Sequence, residues 1–303
     1  MKKNYARQVA FPLLAAMIWG AAFVAQSIGA ESIGCFAFTM ARSAIAAVEL
    51  FVLALVLRLV RHKKRTPEEK KTYRSDLIWG GFFCGTVLMA ATNFQQFGLG
   101  TTDAGKAGFI TALYVVLVPV FGIPLHKKIT PMICASVVLA VGGLYLLCVK
   151  IGVPFSVTKG DASVLVCAAL FAVHILCIDN YSGKVDGIEL SCAQFTVVAA
   201  ESLICMLLFE RNTVWADFAV NMPYILYVGV LSSGVAYTLQ ILSQKGSNPT
   251  VVSLLLCTES FFAAVSGAIF LHERLAVQEY IGCALMLAAV ILAQVPTRKK
   301  SVE

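Results

Sequence analysis

Charged side chains within long apolar stretches are the residues of this sequence best suited to chemistry. Arg42 and Glu49 lie seven residues apart in one apolar stretch, and Gln194 and Glu201 repeat that spacing in another. On a helix, seven residues are close to two turns, so each pair shares a face and is separated by about 10.5 Å along the axis. Each side chain therefore needs partners on other helices. A charge in the hydrocarbon costs roughly 2.5–3.5 kcal/mol on insertion scales, which favours a functional use.

Arg42 and the two glutamates suggest binding of a charged solute and transfer of protons. The planar guanidinium of Arg42 suits a carboxylate or a phosphate, although it would serve equally well to fix its helix to a neighbour. If Glu49 and Glu201 face each other across a symmetry axis, the two carboxylates share one proton, which suits proton coupling or contact with a cationic group. The alternative is a structural role, in which each carboxylate bonds to a neighbouring helix.

Polar and aromatic residues in other apolar stretches are further candidates for the lining of a cavity. Asn93 and Gln96 are three residues apart, as are Tyr237 and Gln240, so each pair shares one helix face. Hydrogen bonding between helices is the alternative for both pairs. His174 is a candidate proton relay or else a packed, hydrogen-bonded histidine. The complete set of predicted cavity residues is Trp19, Arg42, Glu49, Asn93, Gln96, Tyr114, His174, Gln194, Glu201, Tyr237, Gln240 and Glu259.

The composition defines the elements that must position these residues. Of 303 residues, 59% are apolar and 14% are charged, whereas a soluble domain has about 25% charged residues. So little polar surface excludes a water-soluble globule and an intrinsically disordered chain. The net charge of +7 is unevenly distributed, and this distribution indicates orientation in a lipid bilayer rather than nucleic-acid binding.

The apolar residues form ten stretches that are typical of membrane-spanning helices, because helices satisfy their own backbone groups in lipid. The ten spans cover roughly residues 8–28, 35–57, 77–97, 104–123, 131–149, 161–179, 188–209, 223–243, 249–270 and 276–295. With the N-terminus inside, 18 Lys and Arg residues lie on the inner side, 5 on the outer side, and Arg42 within the membrane. This bias predicts both termini in the cytoplasm of a multi-pass protein of the plasma membrane, which is the inner membrane in a Gram-negative cell.

The two halves of the chain resemble each other. At a shift of 152 residues Arg42 aligns with Gln194 and Glu49 with Glu201, and at a shift of 146 residues 125–129 align with 271–275. Five spans per half is an odd number, so the halves enter the membrane from opposite sides. The sequence therefore predicts two inverted five-helix repeats, residues 1–150 and 151–303, with a substrate site near midplane at their interface.

Several motifs in order resemble the drug/metabolite transporter superfamily, in its ten-helix EamA-type branch. They are Ile18–Phe23, Arg42, the segment 101–121, Thr258-Glu259 and Leu271–Leu275. Two positions depart from the family pattern, because Ser260 stands where the family has proline and His272 where it has glycine. The resemblance implies two five-helix repeats around a central cavity, lined by spans 1–4 and 6–9, with spans 5 and 10 at the periphery.

These observations together predict a secondary transporter, an exporter or facilitator of small organic metabolites such as amino acids, that works by alternating access. The expected partners are a small-molecule solute and the lipid bilayer, with a homodimer through the Gly81-x-x-x-Gly85 motif as an alternative to packing within the chain. The ten cysteines contain no Cys-x-x-Cys pair, and we predict no catalytic residues, no metal site and no cofactor. The competing class is an intramembrane, transferase-like enzyme that uses the buried carboxylates, but a clustered acid or metal motif is missing.

Overall fold

The computed structural model describes residues 2–61, 66–102, 104–127, 129–149, 158–213, 215–270 and 276–293. The described residues form ten helices, three of which are divided into shorter pieces, and this confirms the predicted all-helical fold. In chain order they are α1 (Lys2–Ser32), α2 (Cys35–Arg61), α3 (Pro67–Leu99), α4 (Ala104–Ala112 and Tyr114–Gly122), α5 (Pro131–Cys148), α6 (Lys159–Tyr181), α7 (Gly187–Phe209), α8 (Trp215–Tyr227, Val228–Ala236 and Tyr237–Gln244), α9 (Pro249–Leu256 and Glu259–Phe270) and α10 (Val277–Ala293).

Length and apolarity identify the helices as membrane spans. Seven of the described helices are long and apolar enough to cross a bilayer, and α4, α5 and α10 contain shorter apolar helices. The outward surface carries large apolar side chains, such as Phe51 and Leu59 on α2 and Trp79, Phe82 and Phe83 on α3. An exposed apolar surface of this extent marks contact with lipid. The chain is therefore a multi-pass membrane protein.

Polar caps set where the helices begin. Thr66 Oγ1 accepts a hydrogen bond from the backbone N–H of Glu69, and the Glu69 carboxylate accepts one from the backbone N–H of Thr66. This capping box starts α3. Thr158 and Asp161 form the same arrangement at the start of α6. Asn248 caps α9 ahead of Pro249. Each cap satisfies backbone N–H groups that the first helical turn leaves without partners.

Contacts between helix ends define two ends of the bundle. At what we call the basic end, Arg58 in the last turn of α2 bonds to Glu189 in the first turn of α7. At the opposite, far end, Glu210 after α7 bonds to the backbone at the start of α2. The helices thus run alternately, with α1, α3, α5, α7 and α9 beginning at the basic end. The assignment of this end to the cytoplasm stays a prediction.

The packing partners of the helices follow a two-fold pattern. α2 packs along α7, and α5 packs along α10. α3 packs against α6 and α7, while α8 packs against α1 and α2. α1 also contacts α9, and α6 contacts α4. Exchanging α1–α5 for α6–α10 reproduces this set of pairs, as expected for the predicted inverted repeats.

Glycines allow the closest helix approaches. A Cβ atom on Gly20 of α1 would lie 2.7 Å from the backbone oxygen of Glu259 in α9. A Cβ atom on Gly81 would lie 2.5 Å from Ala193 of α7, and one on Gly85 would lie 2.8 Å from the backbone oxygen of Gln194. The Gly81-x-x-x-Gly85 motif therefore packs against α7 of the same chain. Small residues at such crossings let backbones approach.

Three helices are irregular near the middle of the bundle. α4 is interrupted at Leu113 and contains Pro119, and α9 is interrupted between Leu256 and Glu259. α8 contains a π-helix from Val228 to Ala236. The break in α9 forms although Ser260 stands where the family has proline. Non-helical backbone inside a membrane is tolerated where protein buries it or where it lines a cavity. The family-like segment Leu271–Leu275 lies outside the described residues.

Candidate functional site

A cavity lies at the level of these helix breaks, between the two halves of the chain. The space in it that is not filled by protein atoms amounts to about 490 Å³. The centre of a water molecule can reach only about 40 Å³ of this space. One water needs roughly 10–15 Å³ by that measure, so the cavity is narrow and has room for only a few water molecules in this conformation. The lining residues are Trp19, Phe23, Gln26, Arg42, Gln95, Thr111, Tyr114, Phe171, Ile175, Ser232, Tyr237, Gln240, Leu256 and Glu259.

Arg42 supplies the positive charge of the cavity. It is only 3% exposed, and its Nη1 donates a hydrogen bond to Oε1 of Gln26 at 3.2 Å. The guanidinium carbon lies 6.0 Å from the centre of the Phe38 ring. The Nε atom is buried without a hydrogen-bond partner among the described residues. The contacts of this buried cation are thus a neutral amide and an aromatic ring, which leaves its charge available to a solute.

Glu259 supplies the negative charge. It is 5% exposed, and the hydroxyl of Tyr114 donates to its Oε1 at 3.4 Å. Glu259 is the first residue of the second piece of α9, and Tyr114 is the first residue of the second piece of α4. The carboxylate therefore lies at a helix N-terminus, where the helix dipole favours negative charge. The breaks in α4 and α9 bring these two residues together.

Aromatic rings form much of the remaining wall. The rings of Trp19 and Tyr237 lie 4.7 Å apart between centroids, and Trp19 Nε1 donates to the backbone oxygen of Ser232 at 3.3 Å. Phe195 packs edge-on against Tyr237 at 5.4 Å. Ser232 belongs to the π-helix of α8, and π-helical segments frequently occur at functional sites.

Six of the twelve predicted residues line the cavity, and the structure brings these six together from both halves. They are Trp19, Arg42, Tyr114, Tyr237, Gln240 and Glu259. The other six lie outside its lining, and five of them form hydrogen bonds with neighbouring helices, whereas Glu49 Oε2 has no hydrogen-bond partner among the described residues. They are Glu49, Asn93, Gln96, His174, Gln194 and Glu201.

His174 and Gln194 form a neutral pair behind the cavity wall. Both side chains are fully buried, and His174 Nε2 lies 3.2 Å from Gln194 Oε1. The His174 ring packs edge-on against Tyr237 at 6.0 Å. Gln194 occupies the position equivalent to Arg42 in the second half, so the two halves place different chemistry at matched sites.

Asn93 and Gln96 bond to other helices rather than to the cavity. Asn93 Nδ2 donates to Met89 O at 2.8 Å and lies 3.4 Å from Ser202 Oγ in α7. Gln96 Nε2 donates to the backbone oxygen of Gln26 at 2.8 Å. Because the side chain of Gln26 bonds to Arg42, Gln96 helps to position the cavity cation.

The two matched glutamates contact different helices. A Cβ atom on Gly234, in the π-helix of α8, would lie 2.2 Å from Oε2 of Glu49, so that carboxylate packs directly on the π-helical backbone. Glu201 accepts a hydrogen bond from Thr86 of α3 at 2.6 Å. Each carboxylate therefore has its own neighbour in the opposite half of the chain.

Sequence reasoning missed four polar lining residues: Gln26, Gln95, Thr111 and Ser232. Gln26 and Gln95 are amides inside apolar stretches, so the criterion that selected Gln96 would have found them. Gln95 Nε2 lies 3.5 Å from Thr111 Oγ1, which joins α3 to α4 beside the cavity. Among the described residues no group of three or more His, Cys, Asp or Glu side chains could hold a metal ion.

The fold and the site define a multi-pass helical membrane protein with a narrow, charged cavity between two halves. The chain belongs to the EamA-like transporter family, which it matches over residues 7–149 and again over residues 158–294. The resemblance drawn from the sequence motifs is thereby confirmed. The description of the family is that of transporters.

Relatives and a solved structure agree with this membership. The chain is 31% identical over 284 residues to an uncharacterized transporter of Archaeoglobus fulgidus, covering 92% of this chain and 83% of the relative. It is 22% identical over 281 residues to the uncharacterized transporter YoaV of Bacillus subtilis, covering 91% and 92%. One crystal structure aligns with a TM-score of 0.73 over 95% of this chain and 96% of that one. At 16% identity this likeness concerns the fold alone.

Proposed function

We propose that this protein is a secondary transporter that moves small organic metabolites through the central cavity by alternating access. In this proposal residues 1–150 and 151–303 are two inverted repeats that rock about the solute. The protein acts as an exporter or facilitator in the plasma membrane, with the basic end in the cytoplasm, as the distribution of Lys and Arg favours.

The observation that carries the proposal is the narrow cavity with buried charged groups at the level of three irregular helices. Both halves contribute to it, Arg42 from the first and Glu259 from the second. A solute of metabolite size needs more room than the 40 Å³ that the centre of a water molecule can reach in this structure. Movement of the helix pieces beside the breaks at Leu113 and Cys257 would enlarge it, because broken helices form substrate sites in such transporters. The two matches to the family support the division into two repeats.

Solute counterflow in proteoliposomes tests this proposal without knowledge of any coupling ion. Liposomes are loaded with pooled unlabelled amino acids, nucleosides or sugars, and uptake of the labelled compounds at trace concentration is followed. We expect transient accumulation of at least one label, and its loss in Arg42→Ala. Arg74→Ala is the matched control, because Arg74 lies exposed at the basic end, outside the cavity. Counterflow lost equally in both variants, or never seen with folded protein, would contradict the proposal.

Proton coupling stays part of the proposal, because the cavity contains the carboxylate of Glu259. The same liposomes with an imposed pH gradient test it. Coupling predicts accumulation of solute driven by the gradient alone, and a facilitator predicts equilibration.

A further inference from the structure

We propose that the cavity binds a zwitterion, with the carboxylate of the solute on Arg42 and its ammonium group on Glu259. This inference rests on the proposed transport function and names the class of its solute. It follows from the placement of two opposite charges and of one unpartnered amide around a single small space.

The first step is that both charges face the cavity with neutral partners. Arg42 bonds to the amide of Gln26, and Glu259 accepts from the hydroxyl of Tyr114. The ion pairs seen among the described residues join other side chains, Arg58 to Glu189 and Lys127 to Asp179. Neither cavity charge is therefore neutralised by a contact within the described part of the chain.

The second step is electrostatic. A buried charge without a counter-charge is costly in a medium of low dielectric constant. A monoanion would neutralise Arg42 and leave Glu259 unpaired, and a monocation would do the reverse. A zwitterion pairs both groups and adds no net charge. Sites with buried polar groups reject analogues that leave those groups unpaired.

The third step concerns the surroundings of the ammonium group. Gln240 is 2% exposed and lines the cavity, and its Oε1 atom has no hydrogen-bond partner in the part of the chain that the structure describes. This oxygen is an acceptor for an N–H of the solute. The rings of Tyr114, Tyr237 and Trp19 line the same space, and aromatic faces attract cations. The cavity thus offers an ammonium group an acceptor and aromatic faces besides the carboxylate.

The chain offers a direct reporter of binding that does not depend on transport. It has three tryptophans. Trp19 lines the cavity, whereas Trp79 and Trp215 are 53% and 88% exposed. Replacing those two by Phe leaves Trp19 as the single tryptophan. Its fluorescence then reports occupation of the cavity.

The probes are matched solutes that differ in charge. 2-Aminobutyrate is a zwitterion, butyrate is the same acid without the amine, and propylamine is the same amine without the carboxylate. 4-Aminobutyrate places the two charges further apart. We expect one of the zwitterions to bind to the single-tryptophan protein at pH 7 at least about 30-fold more tightly than butyrate or propylamine, since both poles must be paired.

Two variants test the partner of the solute carboxylate and the partner of its ammonium group separately. Arg42→Gln should reverse the preference in favour of propylamine, and Glu259→Gln should reverse it in favour of butyrate. Glu279→Gln is the control, because Glu279 lies at the start of α10 and bonds to its own helix end. A purely structural role for Arg42 and Glu259 predicts parallel loss of all binding rather than opposite changes of preference.

The outcomes distinguish this inference from the proposed function. Equal binding of butyrate or propylamine overturns the zwitterion proposal, and so does the absence of a response to all four probes and to the pooled twenty amino acids. Counterflow of a solute that is not a zwitterion, without competition by zwitterions, overturns the zwitterion proposal but leaves the proposed transport function in place. Binding of a zwitterion without counterflow would instead contradict the transport function and retain the site.

Discussion

The two ends of the bundle are closed at equivalent positions by different kinds of contact. At the basic end, Arg58 Nε and Nη2 donate to the two oxygens of Glu189 at 2.8 and 3.0 Å, and the hydroxyl of Tyr73 donates to the same carboxylate at 2.8 Å. At the far end, the carboxylate of Glu210 accepts from the backbone N–H groups of Phe36 and Ala37 at 3.0 and 2.8 Å. We call these the basic-end contact and the far-end contact.

The shift of 152 residues that relates the halves aligns Arg58 with Glu210 and Ala37 with Glu189. One repeat position thus carries a cation in the first half and an anion in the second. Each contact joins α2 of one half to α7 of the other. If the protein works by alternating access, as we propose, each contact opens while the other stays closed, and these two contacts are then the proposed gates.

The difference in chemistry predicts a difference in behaviour. Arg58 is 62% exposed, so water and salt weaken its ion pair. The Glu210 carboxylate instead bonds to the N-terminus of α2, where the helix dipole adds to the hydrogen bonds. Gly34 permits this approach, since a Cβ atom there would lie 2.3 Å from a carboxylate oxygen of Glu210.

Two native cysteines report on the two ends. Cys35 lies beside Glu210, and Cys192 lies near Glu189. Reaction with N-ethylmaleimide, resolved by peptide mass spectrometry and followed over a range of pH, separates the opening at each cysteine from a change in its thiolate fraction. The exposed Cys134 serves as the reference for reagent activity.

Glu189→Ala should have the largest effect, because Glu189 bonds to both α2 and α3. The closed basic end should lose about 1–2 kcal/mol, with the exposed ion pair contributing the smaller part. The reaction of Cys192 should then accelerate roughly five- to thirtyfold. An unchanged rate at Cys192, with Cys134 reacting normally, would show that this contact does not hold the end closed.

Glu210→Ala should have the next largest effect, at the opposite end. Loss of a carboxylate that caps a helix costs about 1 kcal/mol, so Cys35 should react about fivefold faster. The circular dichroism spectrum should stay unchanged, because α2 is held by its contacts with α7. A slower reaction of Cys35 would contradict the assignment of Glu210 as a closing group.

The glutamine variants sharpen the comparison. An amide oxygen still accepts a hydrogen bond from a backbone N–H, so Glu210→Gln should show about half of the free-energy change of Glu210→Ala. Glu189→Gln should retain most of the effect of Glu189→Ala, because an amide loses the ion pair with Arg58 and also turns the charge-assisted hydrogen bond from Tyr73 into a weaker, neutral one. If the Gln variant showed the same fraction of the Ala variant's effect at both ends, the two contacts would not differ in their chemistry as proposed. The same thiol-labelling rates provide the measurement.

Ionic strength should have the smallest effect. Raising salt from about 0.05 to 0.5 M shortens the screening length and should accelerate the reaction of Cys192 about twofold, as an exposed ion pair is worth less than about 1 kcal/mol. The rate at Cys35 should change little, because a carboxylate bonded to backbone N–H groups is less accessible to salt. A larger response at Cys35 than at Cys192 would reverse the expected order.

The apolar pattern predicts the number and order of the helices better than the residues at which they begin and end. Span 3 was placed at 77–97, yet α3 begins at Pro67, because a capped and charged first segment carries the helix beyond the apolar core. Apolarity marks the part of a helix that lies in lipid, and capping residues mark where the helix begins. Arg42 and Glu259 could be selected from the sequence as cavity candidates, because ionisable groups inside apolar stretches are costly and need a function or a partner.

The sequence predicts less well which residues of a helix face the cavity. On α3 the sequence favours Asn93 and Gln96, but Gln95 lines the cavity, since one residue rotates a helix face by about 100°. The π-helix in α8 rotates the faces that follow it, and no signal in the sequence located it. The sequence shows that Glu49 and Glu201 occupy matched positions in the two halves. The side chains and backbone that each carboxylate contacts depend on how the neighbouring helices pack.

The most direct test of alternating access is the labelling of Cys35 and Cys192 in the same samples of Glu189→Ala and Glu210→Ala. The account predicts reciprocity, because opening of one end closes the other. Glu189→Ala should accelerate the reaction of Cys192 and slow that of Cys35, and Glu210→Ala should do the opposite. Faster reaction at both cysteines in both variants would indicate loosening of the bundle and would contradict alternating access through these two ends.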